Sequence, residues 1–358
     1  MNFLSYFKSN FKKVYVVSRA FSLPVCQRII KKLDGIPVVK VEDKKQIKKE
    51  DLNKSTLLLN YPKGNIVGRC PGSRGHICCN YLTIDLYVGC TLGCSYCIMD
   101  SYLNFSPVVI NLNLDDIISK VYAIADQNPG KIIRIGTGEV GDSLLFDPIF
   151  NLSKHFIKAF SNRPEIFFEM KTKTGNVDHL LTIPDKGSSV IGFSLNPEKI
   201  VLTEEKGSFS LDERIEAAVK SAKNGYFISF HFDPIFFYIG WEEDYSEVIE
   251  KISRIPAQKI VWISLGTFRY TPKLKESIKQ RWFLLDEHVP CKDKKYRYIQ
   301  IRRTNIYNYL FKKLESVFPD VPVYMCMESM VIWRKIFKKN PRKMNKLCVI
   351  FNPIRIYS

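Results

Sequence analysis

The stretch Leu82-Thr-Ile-Asp-Leu-Tyr-Val-Gly-Cys90-Thr-Leu-Gly-Cys94-Ser-Tyr-Cys97 decides how the chain is read. Leu82, Ile84, Leu86 and Val88 alternate with Thr83, Asp85 and Tyr87. A period of two predicts a strand that ends at Gly89. Three cysteines follow at spacings of four and three residues, in a loop with Gly89 and Gly93. The loop therefore stands at the C-terminal mouth of a strand, where α/β folds carry their chemistry. Positions i, i+4 and i+7 also mark one helix face, and a buried free cysteine behaves as a small hydrophobe. Two glycines so close together weigh against that helix. Zinc would want a fourth ligand at matching spacing. No second Cys-x-x-Cys or His pair follows. Three thiolates in one loop suit a four-iron cluster better, since it needs four ligands and keeps one iron open.

Outward from the loop, strand and helix patterns alternate. A helix is expected from about Leu114 to Ala125, a strand at Ile132–Ile135 and a helix near Ile149–Phe160. Strands follow at Ile166–Lys173 and Val190–Leu195. The next helix is the best bounded. Ser210 and Glu213 form a capping box, Leu211, Ile215, Ala218, Val219 and Ala222 form a stripe, and Gly225 stands just past the end. Phe227–Phe232, a helix at Tyr245–Ile252 and Ile260–Leu265 complete the series. With the cysteine strand, that is six strands alternating with helices, a parallel sheet with right-handed crossovers. The fold class is α/β.

Upstream, Val14–Val17, a helix at Leu23–Leu33 and Ile36–Val41 make a β-α-β start, with a further strand at Leu57–Leu59. Residues 61–80 read as a loop rich in Gly, Pro and Cys. Downstream, residues 271–358 lose the alternation. Three regions result: a small α/β domain and linker over 1–80, a core over 81–270, and a basic α+β cap over 271–358.

The 358 residues carry a net charge of +18, which points to a polyanion. The charges are grouped at Lys44–Lys49, at 292–303 and at 334–346. In the middle group, Lys294, Lys295, Arg297, Tyr298, Arg302 and Arg303 mix cations with aromatic rings, as a surface does that holds phosphates and stacks on bases. The alternative is a solvated basic surface, with the tyrosines packing a cap. Ten cysteines do not form a disulfide framework here, because the loop thiols must be reduced; a reducing cytoplasmic setting is expected. Cys70, Cys78 and Cys79 precede the loop without the spacing of a second metal site. No apolar run of ~18 residues spans a bilayer, and no secretory signal is read at the N-terminus.

Cys-x3-Cys-x2-Cys after the first core strand resembles the cluster loop of the radical S-adenosylmethionine enzymes. The resemblance implies a partial (β/α)6 barrel in which Cys90, Cys94 and Cys97 hold a 4Fe–4S cluster. Its open iron would take the amine and carboxylate of S-adenosylmethionine. Reductive cleavage then yields a 5′-deoxyadenosyl radical, with the electron from a donor such as flavodoxin or ferredoxin. Four further stretches resemble the spore photoproduct lyase family, whose members reverse a thymine–thymine adduct in DNA. They are Gly-Trp241-Glu242-Glu243-Asp-Tyr245, Lys171-Thr-Lys173-Thr-Gly-Asn-Val-Asp178-His179-Leu-Leu, Phe193-Ser194-Leu-Asn196 and Tyr324-Met-Cys326-Met-Glu328-Ser-Met-Val-Ile-Trp333. The likeness covers nearly the whole chain, and the last stretch resembles the lyase-like branch.

By position, Glu139 matches the place where such enzymes hold the cofactor's ammonium group. Lys173 and Ser194 match a lysine and a serine that contact S-adenosylmethionine, and Asp142 is a weaker candidate. Tyr96 matches a tyrosine of the radical relay, so the resemblance gives it a catalytic role. Two departures stand out. Ile98 occupies the place of a second tyrosine. Gly138-Glu139-Val140-Gly141-Asp142-Ser143 lacks the cysteine that gives the lyases' product radical its hydrogen atom. Cys326 or Cys78 is the candidate substitute. The expected function is therefore a radical lyase acting on damaged thymine in DNA. The alternatives are a radical enzyme of the same branch with another substrate, and a non-catalytic iron–sulfur nucleic-acid binder resting on charge alone.

Overall fold

The computed structural model describes residues 3–72 and 75–356. The N-terminal strands are β1 (Lys13–Val17), β2 (Val38–Val41) and β3 (Thr56–Asn60). β1 lies between the other two, parallel to both, with Val14 opposite Val38 and Leu57. The helix Pro24–Lys32 starts on a proline that pre-sets its first turn, and it buries Cys26 and Ile29. The next strands are short: β4 (Val67–Arg69), β5 (His76–Ile77), β6 (Leu82–Ile84), β7 (Tyr87–Val88) and β8 (Val108–Asn111).

The alternating run is therefore two strands rather than one, and they belong to different sheets. β6 enters the large sheet, whereas β7 pairs antiparallel with β8 beside β3. Asp85 is the break. Its N–H donates to the Ile66 carbonyl at 2.9 Å, and its own carbonyl accepts from Asn111 Nδ2 at 2.6 Å. Those bonds take the backbone out of one ladder and into the other. Both β4 and β5 fall in the stretch read as loop, and β8 had no counterpart in the expected pattern. Hydrogen bonding in the N-terminal sheet thus continues past residue 80, through β7 and β8 to Asn111.

The core strands are β9 (Ile133–Thr137), β10 (Ile166–Thr172), β11 (Ser189–Ser194), β12 (Phe227–Ile235) and β13 (Ile260–Thr267). Beyond them come β14 (Arg269–Tyr270), β15 (His288–Pro290), β16 (Tyr296–Tyr298), β17 (Val323–Met325) and β18 (Glu328–Ser329). The large sheet runs β17-β13-β12-β11-β10-β9-β6-β4. Every neighbouring pair is parallel except β4 with β6. The sheet curls into a half-barrel. Both of its faces are covered, which is why the six residues of β11 are all buried and the strands read as apolar runs. The expected six strands are present, and β17 adds a parallel strand from the C-terminal region.

The helix Leu211–Lys223 has the expected box: the Glu213 N–H donates to Ser210 Oγ at 3.3 Å, and the Ser210 N–H to Glu213 Oε2 at 2.8 Å. The helix expected near 149–160 is divided into Asp147–Phe150 and Ser153–Phe160 by Asn151 at φ 54°. Asp147 restarts it. Its buried Oδ1 accepts from the N–H groups of Leu152 and Ser153 at 2.9 and 3.0 Å and from the Tyr87 hydroxyl at 2.7 Å. In the C-terminal region an 18-residue helix, Gln300–Val317, buries Arg303, Ile306, Tyr307, Leu310 and Leu314 along one stripe. Among the described residues, no helix is long and apolar enough to cross a membrane.

Candidate active site

The cysteine loop is bent by Gly89 and Gly93, at φ 82° and 66°, where a side chain would be strained. It is pinned on two sides. The Gly89 N–H donates to the Val140 carbonyl at 2.8 Å, and Gly89 bridges to Gly141. A Cβ on Gly141 would stand 2.6 Å from the Tyr87 carbonyl oxygen, so only glycine allows that approach. On the other side, Ser95 N–H reaches the Glu204 carbonyl at 2.9 Å and Gly207 N–H the Leu92 carbonyl at 3.1 Å. Cys90, Cys94 and Cys97 are free and partly exposed, and all three line one cavity of about 350 Å³. Glu139, Asp142, Lys171, Lys173 and Ser194 line the same cavity. The structure thus gathers the residues matched for the cluster and cofactor at one mouth.

Their partners differ from one another. Lys171 pairs with Glu139 through Oε1. Burial pulls Lys171 down, and Glu139 and then Glu169 outweigh it, so its ammonium stays charged. Asp142 is fully engaged: Oδ1 accepts from Leu144 N–H, Leu145 N–H and Thr172 Oγ1 at 3.0, 2.9 and 2.8 Å, and Oδ2 from Lys173 N–H at 2.8 Å. Asp142 therefore fixes the turn after β9 against the end of β10. Lys173 Nζ stands 3.0 Å from Glu205 Oε1. Glu205 also meets Arg214 Nη2 at 2.6 Å and Asn196 Nδ2 at 2.9 Å. Burial pushes the Glu205 carboxyl up, but Lys173 and Arg214 pull it well below the usual range. Two cations face one carboxylate, so the Lys173 end of the network keeps positive character toward the cavity.

Tyr96 lies outside the cavity wall. Its hydroxyl donates to Glu205 Oε1, and its ring packs against Phe236 at 5.2 Å between centroids. Ser194 is buried at the end of β11, its carbonyl held by Arg214 Nη1 at 2.9 Å.

Two acidic residues were not singled out in the sequence. Glu205 sits in Thr-Glu-Glu-Lys, which reads as an exposed charge run. Glu169 sits in Ile-Phe-Phe-Glu-Met, and a lone charge inside an apolar strand was the available signal. Glu169 is buried in the barrel, where His231 Nε2 at 2.8 Å, Trp262 Nε1 at 3.1 Å, Ser229 and Tyr81 surround it. Burial raises its carboxyl, and His231, Lys171 and Ser229 together more than offset that, leaving it below the usual range. A Cβ on Gly192 would fall 2.7 Å from Glu169 Oε1.

The nucleic-acid surface expected at 292–303 is largely interior. Arg297 is 1% exposed and makes paired bonds to Asp293, both at 2.7 Å. Arg303 reaches Glu328 Oε1 at 2.6 Å, and Tyr298 is 0% exposed with its hydroxyl 3.2 Å from the Phe237 N–H. Lys295 is buried, and Arg302 stacks 3.6 Å above the Phe237 ring and meets Asp286 at 3.2 Å. A side chain held inside the protein cannot meet a backbone phosphate. Lys294 alone of the six is exposed. The densest run of exposed cations in the cap is instead Arg334, Lys335, Lys338, Lys339, Arg342, Lys343 and Lys346.

A curled α/β half-barrel with a three-cysteine loop at its mouth is the architecture expected of the radical S-adenosylmethionine class. The spore photoproduct lyase family profile matches residues 11–321. The chain belongs to the spore photoproduct lyase family. It is 26% identical to the spore photoproduct lyase of Bacillus subtilis (strain 168) over 318 residues, 85% of this chain and 90% of that one. With the enzyme of Clostridium acetobutylicum it shares 27% identity over 196 residues, 54% of this chain and 58% of that one. A solved spore photoproduct lyase complexed with dinucleoside spore photoproduct has a TM-score of 0.75 at 24% identity, covering 88% of this chain and 98% of that one. A mutant solved with bound AdoMet and the same dinucleoside gives 0.76 at 23% identity, with 89% and 99% covered. At that identity the structures establish the shared fold.

Proposed function

We propose that the protein uses S-adenosylmethionine and a 4Fe–4S cluster to reverse a crosslinked thymine dinucleotide in DNA. One observation carries the reading: the three loop thiols share a cavity with Glu139, Lys173 and Ser194. The thiols fit the cluster. Cys90 Sγ accepts the Leu92 N–H at 3.4 Å, the kind of bond that supports a sulfur ligand. Among the described residues, no group of three His, Cys, Asp or Glu side chains is drawn together as a metal site, and the fit rests on the shared loop and cavity. Ligands of a four-iron cluster bind separate irons and stand further apart.

When bound, the cofactor supplies a 5′-deoxyadenosyl radical that takes a hydrogen atom from the substrate. The chain's residues bind and orient. The Lys173 ammonium suits a carboxylate, and the Ser194 hydroxyl can hold a ribose or carboxyl oxygen. Glu139 spends one oxygen on Lys171 and offers the other to an ammonium group. Leu92, Met99, Leu103 and Phe105 on the wall exclude water. The lesion must leave the base stack to reach this mouth, at a cost of roughly a few kcal/mol. DNA is held by the exposed cations at 334–346, with exposed Lys294 as a further contact. A flavodoxin or ferredoxin supplies electrons, and the setting is the reducing cytoplasm.

A second reading keeps the radical chemistry and changes the substrate. The stretch Gly138–Ser143 favours it, because it has no cysteine where the family keeps its hydrogen donor. Turnover separates the two. Reduced, reconstituted protein is given S-adenosylmethionine and dinucleoside spore photoproduct. Thymine release coupled to 5′-deoxyadenosine supports repair. If 5′-deoxyadenosine forms at one slow rate whatever is added, and thymine never appears, the repair assignment falls. Cys94→Ala should abolish both the ~400 nm absorption expected of the cluster and cofactor cleavage.

A further inference from the structure

Four cysteines outside the loop follow the edge strands of the large sheet and the β5–β18 pair beside them. β4 and β17 are its two edge strands. Just beyond them, β5 and β18 pair antiparallel, Ile77 with Glu328 and His76 with Ser329. Cys70 directly follows β4, Cys78 and Cys79 follow β5, and Cys326 follows β17. All are free. Residues far apart in the chain therefore bring a row of thiols to one seam.

Register tells which of them face inward. Arg69 is opposite Leu82, and the Cys70 N–H donates to the Tyr81 carbonyl at 2.9 Å, so Cys70 is opposite Tyr81. Opposed residues of an antiparallel pair share a face. The Tyr81 hydroxyl reaches Glu169 inside the barrel, so Cys70 faces the interior too. The charges acting on its thiol come from Glu139 and Lys171, both on the cavity wall, and from Cys79. Cys326 is level with Gly266, where a Cβ would stand 2.7 Å from the Asp233 carboxyl carbon. It faces inward as well, but next to the Asp233–Arg269 pair rather than Glu139.

Taking a hydrogen atom from a substrate leaves a substrate radical, and a closed-shell product needs a hydrogen atom back. Resting on the repair reading, we infer that Cys70 returns it, with Cys79 and Cys326 behind it on the seam. The Cys70 S–H bond breaks homolytically, a C–H bond forms on the product radical, and a thiyl radical is left on sulfur. One electron from the low-potential protein donor and one proton from solvent restore the thiol. Only a protonated thiol can give a hydrogen atom. Burial, with Glu139 next, pushes Cys70 up to about 12, so it stays protonated at neutral pH.

The test compares the loaded wild type with Cys70→Ser, Cys79→Ser and Cys326→Ser on dinucleoside spore photoproduct in deuterated buffer. The wild type should release thymine carrying solvent deuterium. Cys70→Ser should still consume lesion and form 5′-deoxyadenosine, while intact thymine falls ~10-fold or more and unquenched by-products accumulate. The other two should stay within about twofold. A second readout needs no cluster: the S–H stretching band of Cys70, assigned as the infrared difference between wild type and Cys70→Ser, should shift when the dinucleoside is added. Wild-type thymine yield and deuterium content in Cys70→Ser, or a Cys70 S–H band that the dinucleoside leaves unchanged, overturns the assignment. A wild type that releases no thymine overturns the repair reading, and the role of Cys70 with it.

Discussion

Replacing Glu205 by Gln removes one charge from a position where two cations meet. The Glu205 and Arg214 side chains are both 0% exposed, and that of Lys173 is 15% exposed. Glutamine keeps the shape and leaves both cations without their counter-charge. Lys173 can turn toward the cavity; Arg214, also tied to the Ser194 and Phe209 carbonyls, cannot. Removing one partner of a buried pair costs ~3–5 kcal/mol. With ~2.1 cal/mol/K of unfolding entropy per residue, that is a fall of about 4–7 °C in Tm for a chain of 358 residues. The assay is thermal unfolding of the reduced, cluster-free chain, followed by circular dichroism. Adding Arg214→Met should recover about half of the loss, since it removes the stranded charge. The sign with pH follows from the depressed carboxyl. The Glu205 contribution is present above the unfolded carboxylate value of ~4.3 and is lost as pH falls through the lower folded value. The gap between wild type and Glu205→Gln should stay constant from about pH 6 to 8 and shrink below about pH 4. A variant within ~1 kcal/mol of wild type at neutral pH would refute the buried-network account. So would a gap that persists unchanged down to about pH 3.

Other outcomes follow from the same contacts. Ser210→Ala removes the Oγ that accepts the Glu213 N–H, leaves the Ser210 N–H arm in place, and should cost ~1 kcal/mol, read as a fall in Tm. Gly192→Ala puts a Cβ 2.7 Å from Glu169 and 2.8 Å from Ser229 Oγ, and should destabilise by ~1–3 kcal/mol in chemical unfolding. Arg297→Ala should lower Tm through the loss of its paired bonds to Asp293 and leave the salt dependence of DNA binding unchanged. Lys338→Ala with Lys339→Ala should do the reverse: unchanged Tm, with the slope of log K against log salt reduced by about 2.

The core order was legible because its strands obey one rule. Each is a short apolar run closed by Gly, Pro or Asn and followed by a helix with its own signals, such as Ser210 and Gly225. Where the structure departs from the pattern, a polar side chain has taken over a backbone bond. Asn111 captures the Asp85 carbonyl and divides one expected strand between two sheets. Asp147 caps the Ser153 turn and divides one expected helix. Such choices depend on residues brought together from 26 positions away for Asn111 and on a buried environment for Asp147, so local periodicity carries no trace of them. The helix Gln300–Val317 was hidden for a related reason: its buried stripe includes Arg303 and Tyr307, polar residues satisfied by Glu328 and by Thr267.

The cationic block 292–303 shows why charge composition alone does not locate the free cations. A run of Lys and Arg reports an excess, but whether each charge is free depends on acids elsewhere in the chain. Glu328, 25 residues beyond Arg303, meets it at 2.6 Å. Asp293 engages Arg297, and Asp286 engages Arg302. Three of the block's arginines therefore work as internal ties within the C-terminal region: Arg297 to the turn before β16, and Arg302 and Arg303 from the long helix to Asp286 and to β18. The net excess is real but lies elsewhere, on the exposed 334–346 segment and at Lys44–Lys49. The aromatic interleaving misleads in the same way. Tyr296 stacks on Tyr270 at 5.2 Å, and Tyr298 on His288 at 4.6 Å, so the rings that resemble base platforms are occupied by each other and by histidine. A phosphate-binding claim for this fold thus has to start from exposed cations, and a base-stacking claim from rings whose faces are open.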